Sequence, residues 1–129
     1  MTNNLSNLLD SLLSKHKECP DRIVLELAAK ASGVVIRIDE PWNNNDLPYF
    51  HTAKGLWRPL YDDGDAHRLS IELQLNIIHE AFTVEVSRFL IPSVKHIEQI
   101  TMNYSRAEAT RRAITLAAAA IQIAREAQP

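Results

Sequence analysis

At 129 residues and 14.6 kDa the chain has room for one domain, and 46% hydrophobic with 23% charged residues speaks against disordered, collagen-like and coiled-coil classes. A formal net charge of −2 and a sequence pI near 6.2 exclude a generally basic nucleic-acid or membrane binder, so any anion site has to be a local cluster. A single cysteine, Cys19, cannot form an intramolecular disulfide, and Met1–Ser6 lacks a basic stretch followed by an apolar one, so a cytoplasmic protein with no membrane association is expected.

Leu5, Leu8, Leu9, Leu12 and Leu13 recur at the spacing of an amphipathic helix running to about His16. After the short joint Lys17–Cys19, Pro20 and Asp21 announce a second helix, carried by Ile23, Val24, Leu27, Ala28 and Ala31 and stopped at Gly33. Val34–Ile38 is β-branched and bounded by Gly33 and Pro41, which predicts a first strand. Between Pro41 and Gly64 the chain is irregular and aromatic, with short strands expected at Leu47–His51 and Gly55–Arg58. Asp63-Gly64-Asp65 offers a cap for a third helix through Ala66, Leu69 and Leu73, extending toward Leu75. Three strands follow at Asn76–Phe82, Thr83–Leu90 and Lys95–Asn103, as an antiparallel meander. Ser105-Arg-Ala-Glu108 has the spacing of a capping box. The helix it opens, about Arg106 to Glu126, carries Ala109, Ala113, Leu116, Ala117, Ala120, Ile121 and Ala124 along one side. The fold class expected is α+β: an antiparallel sheet of about four to six strands, packed with N-terminal helices, one inserted helix and a long C-terminal helix.

Chemistry-bearing residues concentrate in two places. Asp62, Asp63 and Asp65 form the densest carboxylate cluster, followed by His67; their spacing matches no calcium loop, and a helix cap competes with a divalent-ion site for a small hydrolase. No H-E-x-x-H, paired Cys/His, P-loop, G-x-S-x-G or G-x-G-x-x-G is present, so neither a metal nor another cofactor is expected. Cys19, with only His16 near it in sequence, reads as incidental. Arg106, Arg111 and Arg112 lie near the start of the last helix, while Tyr49, Phe50 and Trp57, with Arg58 and Arg68, lie in or beside the aromatic segment. Guanidinium forks recognise phosphate and aromatic rings stack on bases, so a site where the two regions meet suits a nucleotide-like ligand. The competing reading has the arginines paired with Asp62, Asp63 or Asp65 and Trp57 in the core.

Trp57–Leu69 (WRPLYDDGDAHRL), Ala109–Ile114 (ATRRAI) with the alanine-rich tail, and the segments Cys19–Arg22 and Leu27–Lys30 resemble the small tailed-phage and prophage proteins grouped as the phage ABA sandwich domain. That resemblance implies a sheet packed with helices and a phage-encoded protein working in the host cytoplasm. It implies no settled activity. By analogy with compact phage proteins that sequester nucleotide immune signals, the expectation is a non-enzymatic binding protein for a small anionic ligand, alternatively an inhibitor of a host protein by direct contact. Exposed apolar helix surface on so small a chain also leaves homodimer formation open.

Overall fold

The computed structural model describes residues 20–37 and 49–127. The expected helix at Leu5–His16, the joint at Lys17–Cys19, Trp42 and the asparagine run lie outside the described residues. Helix α1, Pro20–Ser32, begins with Asp21 in its first turn and closes where Gly33 takes φ +80° and the Val34 N–H bonds the Ala29 carbonyl at 2.9 Å. Residues 34–37 form no strand, contrary to the expectation at Val34–Ile38. Val35 is 80% exposed, and the Arg37 N–H bonds the His51 carbonyl of the neighbouring hairpin at 2.8 Å. β-propensity alone favours an extended backbone and does not supply a ladder.

Strands β1, Phe50–Thr52, and β2, Gly55–Trp57, make a tight hairpin in which Phe50 opposes Trp57, and Gly55 turns the chain at φ +115°. Helix α2 spans Asp63–Glu72. The cap is Asp62, not the expected Asp63 or Asp65: its Oδ2 accepts the Asp65 N–H at 2.8 Å. Helix α2 is capped at Leu73, two residues short of Leu75, in a Schellman turn closed by Leu75 N–H to the Ser70 carbonyl and Gln74 N–H to the Ile71 carbonyl. Strands β3, Asn76–His79, β4, Thr83–Arg88, and β5, Val94–Gln99, form the expected meander, in order β3-β4-β5 and antiparallel throughout. Among the described residues the expected four to six strands are five, divided between a two-stranded and a three-stranded sheet. Helix α3, Arg106–Glu126, starts at Ser105 with a complete capping box, as its sequence requires.

Val84 and Val86 of β4 and Val94 of β5 face α3, whose Ala109, Ala113, Ala117 and Ile121 pack on them. Helix α1 lies against α3 as well, with Val24 and Leu27 meeting Leu116 and Ala119. Alanines without rotamer entropy let the two helices and the sheet approach closely. Every residue from Ala113 to Ile121 is buried, so α3 is enclosed on all sides rather than along one stripe. The opposite sheet face presents Ile78, Glu85 and Ile97 in one cross-strand row, with Ile78 and Ile97 about half exposed.

Candidate functional site

A cleft of about 700 Å³ opens between the end of α1, the β1–β2 hairpin and one side of α2. Gly33 and Val34 form one wall, Lys54 and Leu56 of the hairpin the second, and Asp65, Arg68, Leu69 and Glu72 the third; Trp57 lines the interior. Trp57 is 92% buried, because β2 turns it inward against the core. Arg68 follows from the helical period. Three residues after Asp65, it lies one turn along the same face, and its Nη2 donates to Asp65 Oδ1 at 2.6 Å. The rest of this guanidinium is open to solvent, with the side chain 71% exposed. Lys54 is exposed at the hairpin turn, whose shape is fixed by the Thr52 hydroxyl donating to the Gly55 carbonyl at 2.8 Å. Ser32, also in the wall, donates its hydroxyl to the carbonyls of Ala28 and Ala29. Both hydroxyls are therefore committed to backbone, while two cations and the Glu72 carboxylate face the opening.

The aspartate cluster is fully engaged. Asp62 caps α2; Asp65, nearly buried, also accepts the Arg58 backbone N–H at 3.0 Å; Asp63 receives Arg111 Nη1 at 2.7 Å. These carboxylates point to three different partners, and among the described residues no group of three or more His, Cys, Asp and Glu side chains is arranged around a common metal position. His67 is exposed on α2, outside the cleft.

The arginines of α3 hold the fold together. Arg106 donates through Nη2 to the Glu80 carbonyl at 2.6 Å and the Ala81 carbonyl at 3.2 Å, and sits 3.2 Å from His79 Nδ1, which clasps the β3–β4 turn. Arg111 donates through Nε to the Leu60 carbonyl at 3.0 Å besides pairing with Asp63, joining α3 to the segment before α2. Arg112 lies 3.4 Å from Asp21 of α1 and 3.5 Å from Glu98 of β5, whose Oε1 also meets His96 Nε2 at 3.2 Å. The aromatic segment and the start of α3 thus do meet, but through these ties, and Arg106, Arg111 and Arg112 do not line the cleft. Of the expected site residues the structure brings Trp57 and Arg68 together. Tyr49 stacks edge-on against His51 with centroids 5.3 Å apart and, like Arg58, stands outside the cleft lining, whereas Phe50 packs in the core. Sequence reasoning missed Lys54 and Glu72, the first available from its place at a hairpin tip and the second from its position one turn beyond Arg68.

Compared with known proteins, the chain matches no family model, no curated protein and no solved structure.

Proposed function

We propose that this chain is a small capture protein that holds an anionic, nucleotide-like molecule in the cleft between α1, the β1–β2 hairpin and α2. The observation that carries the reading is the placement of a buried indole beside two solvent-facing cations, Lys54 and Arg68, in one cavity. An indole and apolar walls suit a base, while the ammonium and guanidinium suit its phosphates. Glu72 offers an acceptor for a ribose hydroxyl or exocyclic amine. That both hydroxyls in the wall are spent on carbonyls favours capture over transformation of the ligand. The phage setting, with an anti-defence role in the host cytoplasm, rests on the likeness of Trp57–Leu69 and Ala109–Ile114 to phage ABA sandwich proteins.

Mass spectrometry of small molecules co-purifying with the protein, followed by calorimetric titration with cyclic and ADP-ribose-type nucleotides, tests the reading. Arg68→Ala and Lys54→Ala should each weaken binding about tenfold or more with little change in melting temperature, because both side chains are exposed. A protein that carries no small molecule and binds none of the panel would sink it. The alternative, direct inhibition of a host protein, draws on the half-exposed Ile78 and Ile97, neighbours across β4 on the sheet face turned away from α3. It predicts that Ile97→Lys abolishes partner binding while Arg68→Ala does not.

A further inference from the structure

Strand β5 closes one side of the three-stranded sheet, and no described residue pairs with its outer edge. The direction of its free backbone groups follows from the ladder. Ile100 donates its N–H to the Phe82 carbonyl at 2.8 Å, and by the two-residue alternation of an antiparallel pair the bonds to β4 fall on Glu98, His96 and Val94. The N–H and C=O groups of Lys95, Ile97 and Gln99 therefore point away from β4, a row of donors and acceptors of the kind that recruits a further strand. A lysine on an edge usually repels such a strand, but Lys95 is drawn onto the sheet face, where its Nζ lies 3.4 Å from Glu85 Oε1. The other edge is less accessible: β3 has four residues, and Arg106 clasps its end through His79 and the Glu80 carbonyl. None of Val94–Gln99 lines the cleft.

We propose that β5 is a dimerisation edge, pairing antiparallel with β5 of a second copy about a two-fold axis at Ile97. Outward-pointing backbone groups must meet outward-pointing ones, so the middle of the strand allows two such centres, His96 and Ile97. Centring on His96 sets that imidazole against its own copy and each Glu98 against the apolar Val94 of the other chain. Centring on Ile97 sets Ile97 against Ile97, Lys95 against Gln99, and each His96 across from Glu98 of the other copy, a ring nitrogen against a carboxylate. Side-chain chemistry selects the second. The contacts of Glu98 with His96 Nε2 at 3.2 Å and Arg112 Nε at 3.5 Å both fall on Oε1, which leaves Oε2 of the carboxylate and Nδ1 of the imidazole to meet across the seam. Each facing pair of outward residues exchanges two backbone bonds. The half-exposed Ile78 and Ile97 of both copies then lie along one row of a single continuous sheet.

Sedimentation equilibrium of the parent from about 5 to 200 µM should show a dimer with a dissociation constant of about 10 µM, as suits a small interface built on one edge. Ile97→Lys sets two ammonium groups face to face at the axis and should weaken dimerisation about tenfold or more. Its side chain is half exposed on the free sheet face, so in dilute solution this variant should melt within about 3 °C of the parent. Cysteine pairs read the register in a Cys19→Ser background, because facing residues with Cα atoms about 5.5 Å apart can form a disulfide. Ile97→Cys should cross-link to itself on mild oxidation, whereas Lys95→Cys should cross-link when mixed with Gln99→Cys and not alone. A parent that stays monomeric at about 200 µM, leaving the edge to a strand of some other protein, overturns the proposal. So does a dimer that keeps its affinity in Ile97→Lys or fails to cross-link through Ile97→Cys.

Discussion

Gly33 and Gln74 do the same backbone work at the ends of α1 and α2, each taking a positive φ, but only glycine does so without a Cβ penalty. Gln74→Gly should therefore stabilise the protein by about 0.5–1 kcal/mol in urea unfolding, after allowing for the looser unfolded chain. Asp62→Ala, which removes the α2 cap, should cost about 1 kcal/mol in the same measurement. Asp63→Ala, which leaves that cap in place, should cost less, since this side chain is 79% exposed. Tyr104 makes stability depend on alkaline pH. Burial, then the nearby Glu98 carboxylate, push the Tyr104 hydroxyl up to about 12 from an ordinary value of 10.0. Its oxygen is enclosed without a hydrogen-bond partner. The unfolded chain thus releases this proton before the folded one does, so the contribution is intact below pH 10 and is lost as pH rises toward about 12. Unfolding midpoints should fall across that window, and Tyr104→Phe should flatten the fall without loss of stability at neutral pH. At this scale the sequence showed that a cap must sit in Asp62–Asp65 but could not say which aspartate, because three neighbours with the same side chain differ only in backbone angle.

Among the elements, α3 was the most legible. Its capping box, alanine-rich stripe and helix propensity agree, and the helix runs Arg106–Glu126 as expected. What periodicity could not show is that Ile114, Thr115, Ala118 and Ala119 are buried too, because enclosure on every side depends on α1 lying across the face turned away from the sheet. The Thr115 hydroxyl is satisfied locally, donating to the Arg111 carbonyl at 2.8 Å, which is how a polar residue fits there. Ala117→Arg places a charge where no solvent reaches and should destabilise by about 4 kcal/mol or more. A melting temperature within a degree or two of the parent would mean that α3 does not form the centre of the core. The absent strand at 34–37 shows the reverse case. A run of β-branched residues marks an extended backbone, but a strand needs a run of ladder bonds along a neighbouring edge, and β1 is only three residues long.

For the molecule as a whole, the α+β class and the meander were readable from alternation and turn residues, while the division into two sheets was not. Pairing between distant segments is a three-dimensional outcome, and the hairpin of β1 and β2 is held to the rest through Trp57, Phe50 and the Asp65–Arg58 bond rather than through a shared ladder. The same reason governs the candidate site. Of the aromatic and basic residues singled out by type, Trp57 and Arg68 line the cleft; which arginines do so depends on where backbone carbonyls end up, and Leu60, Glu80, Ala81 and Ala31 claim Arg111, Arg106 and Arg125. Arg111→Ala should consequently lower stability by about 1–3 kcal/mol, since it strips a buried carbonyl of its donor, and should leave affinity for any cleft ligand within about twofold.

The enclosure of α3 also orders events during synthesis. The helix around which α1, α2 and the three-stranded sheet assemble follows all of them along the chain, so nothing that precedes it has a core to collapse on while the ribosome is still at Ser105. Until α3 has joined the rest of the chain, Val84, Val86 and Val94 have no helix to pack against. A chain stopped at Ser105 should show little fixed structure by NMR and bind a trigger-type holdase or a hydrophobic dye, whereas one carried through Glu126 should fold in a single step. Expression of this protein is accordingly expected to depend on chaperone supply far more steeply than its small size suggests.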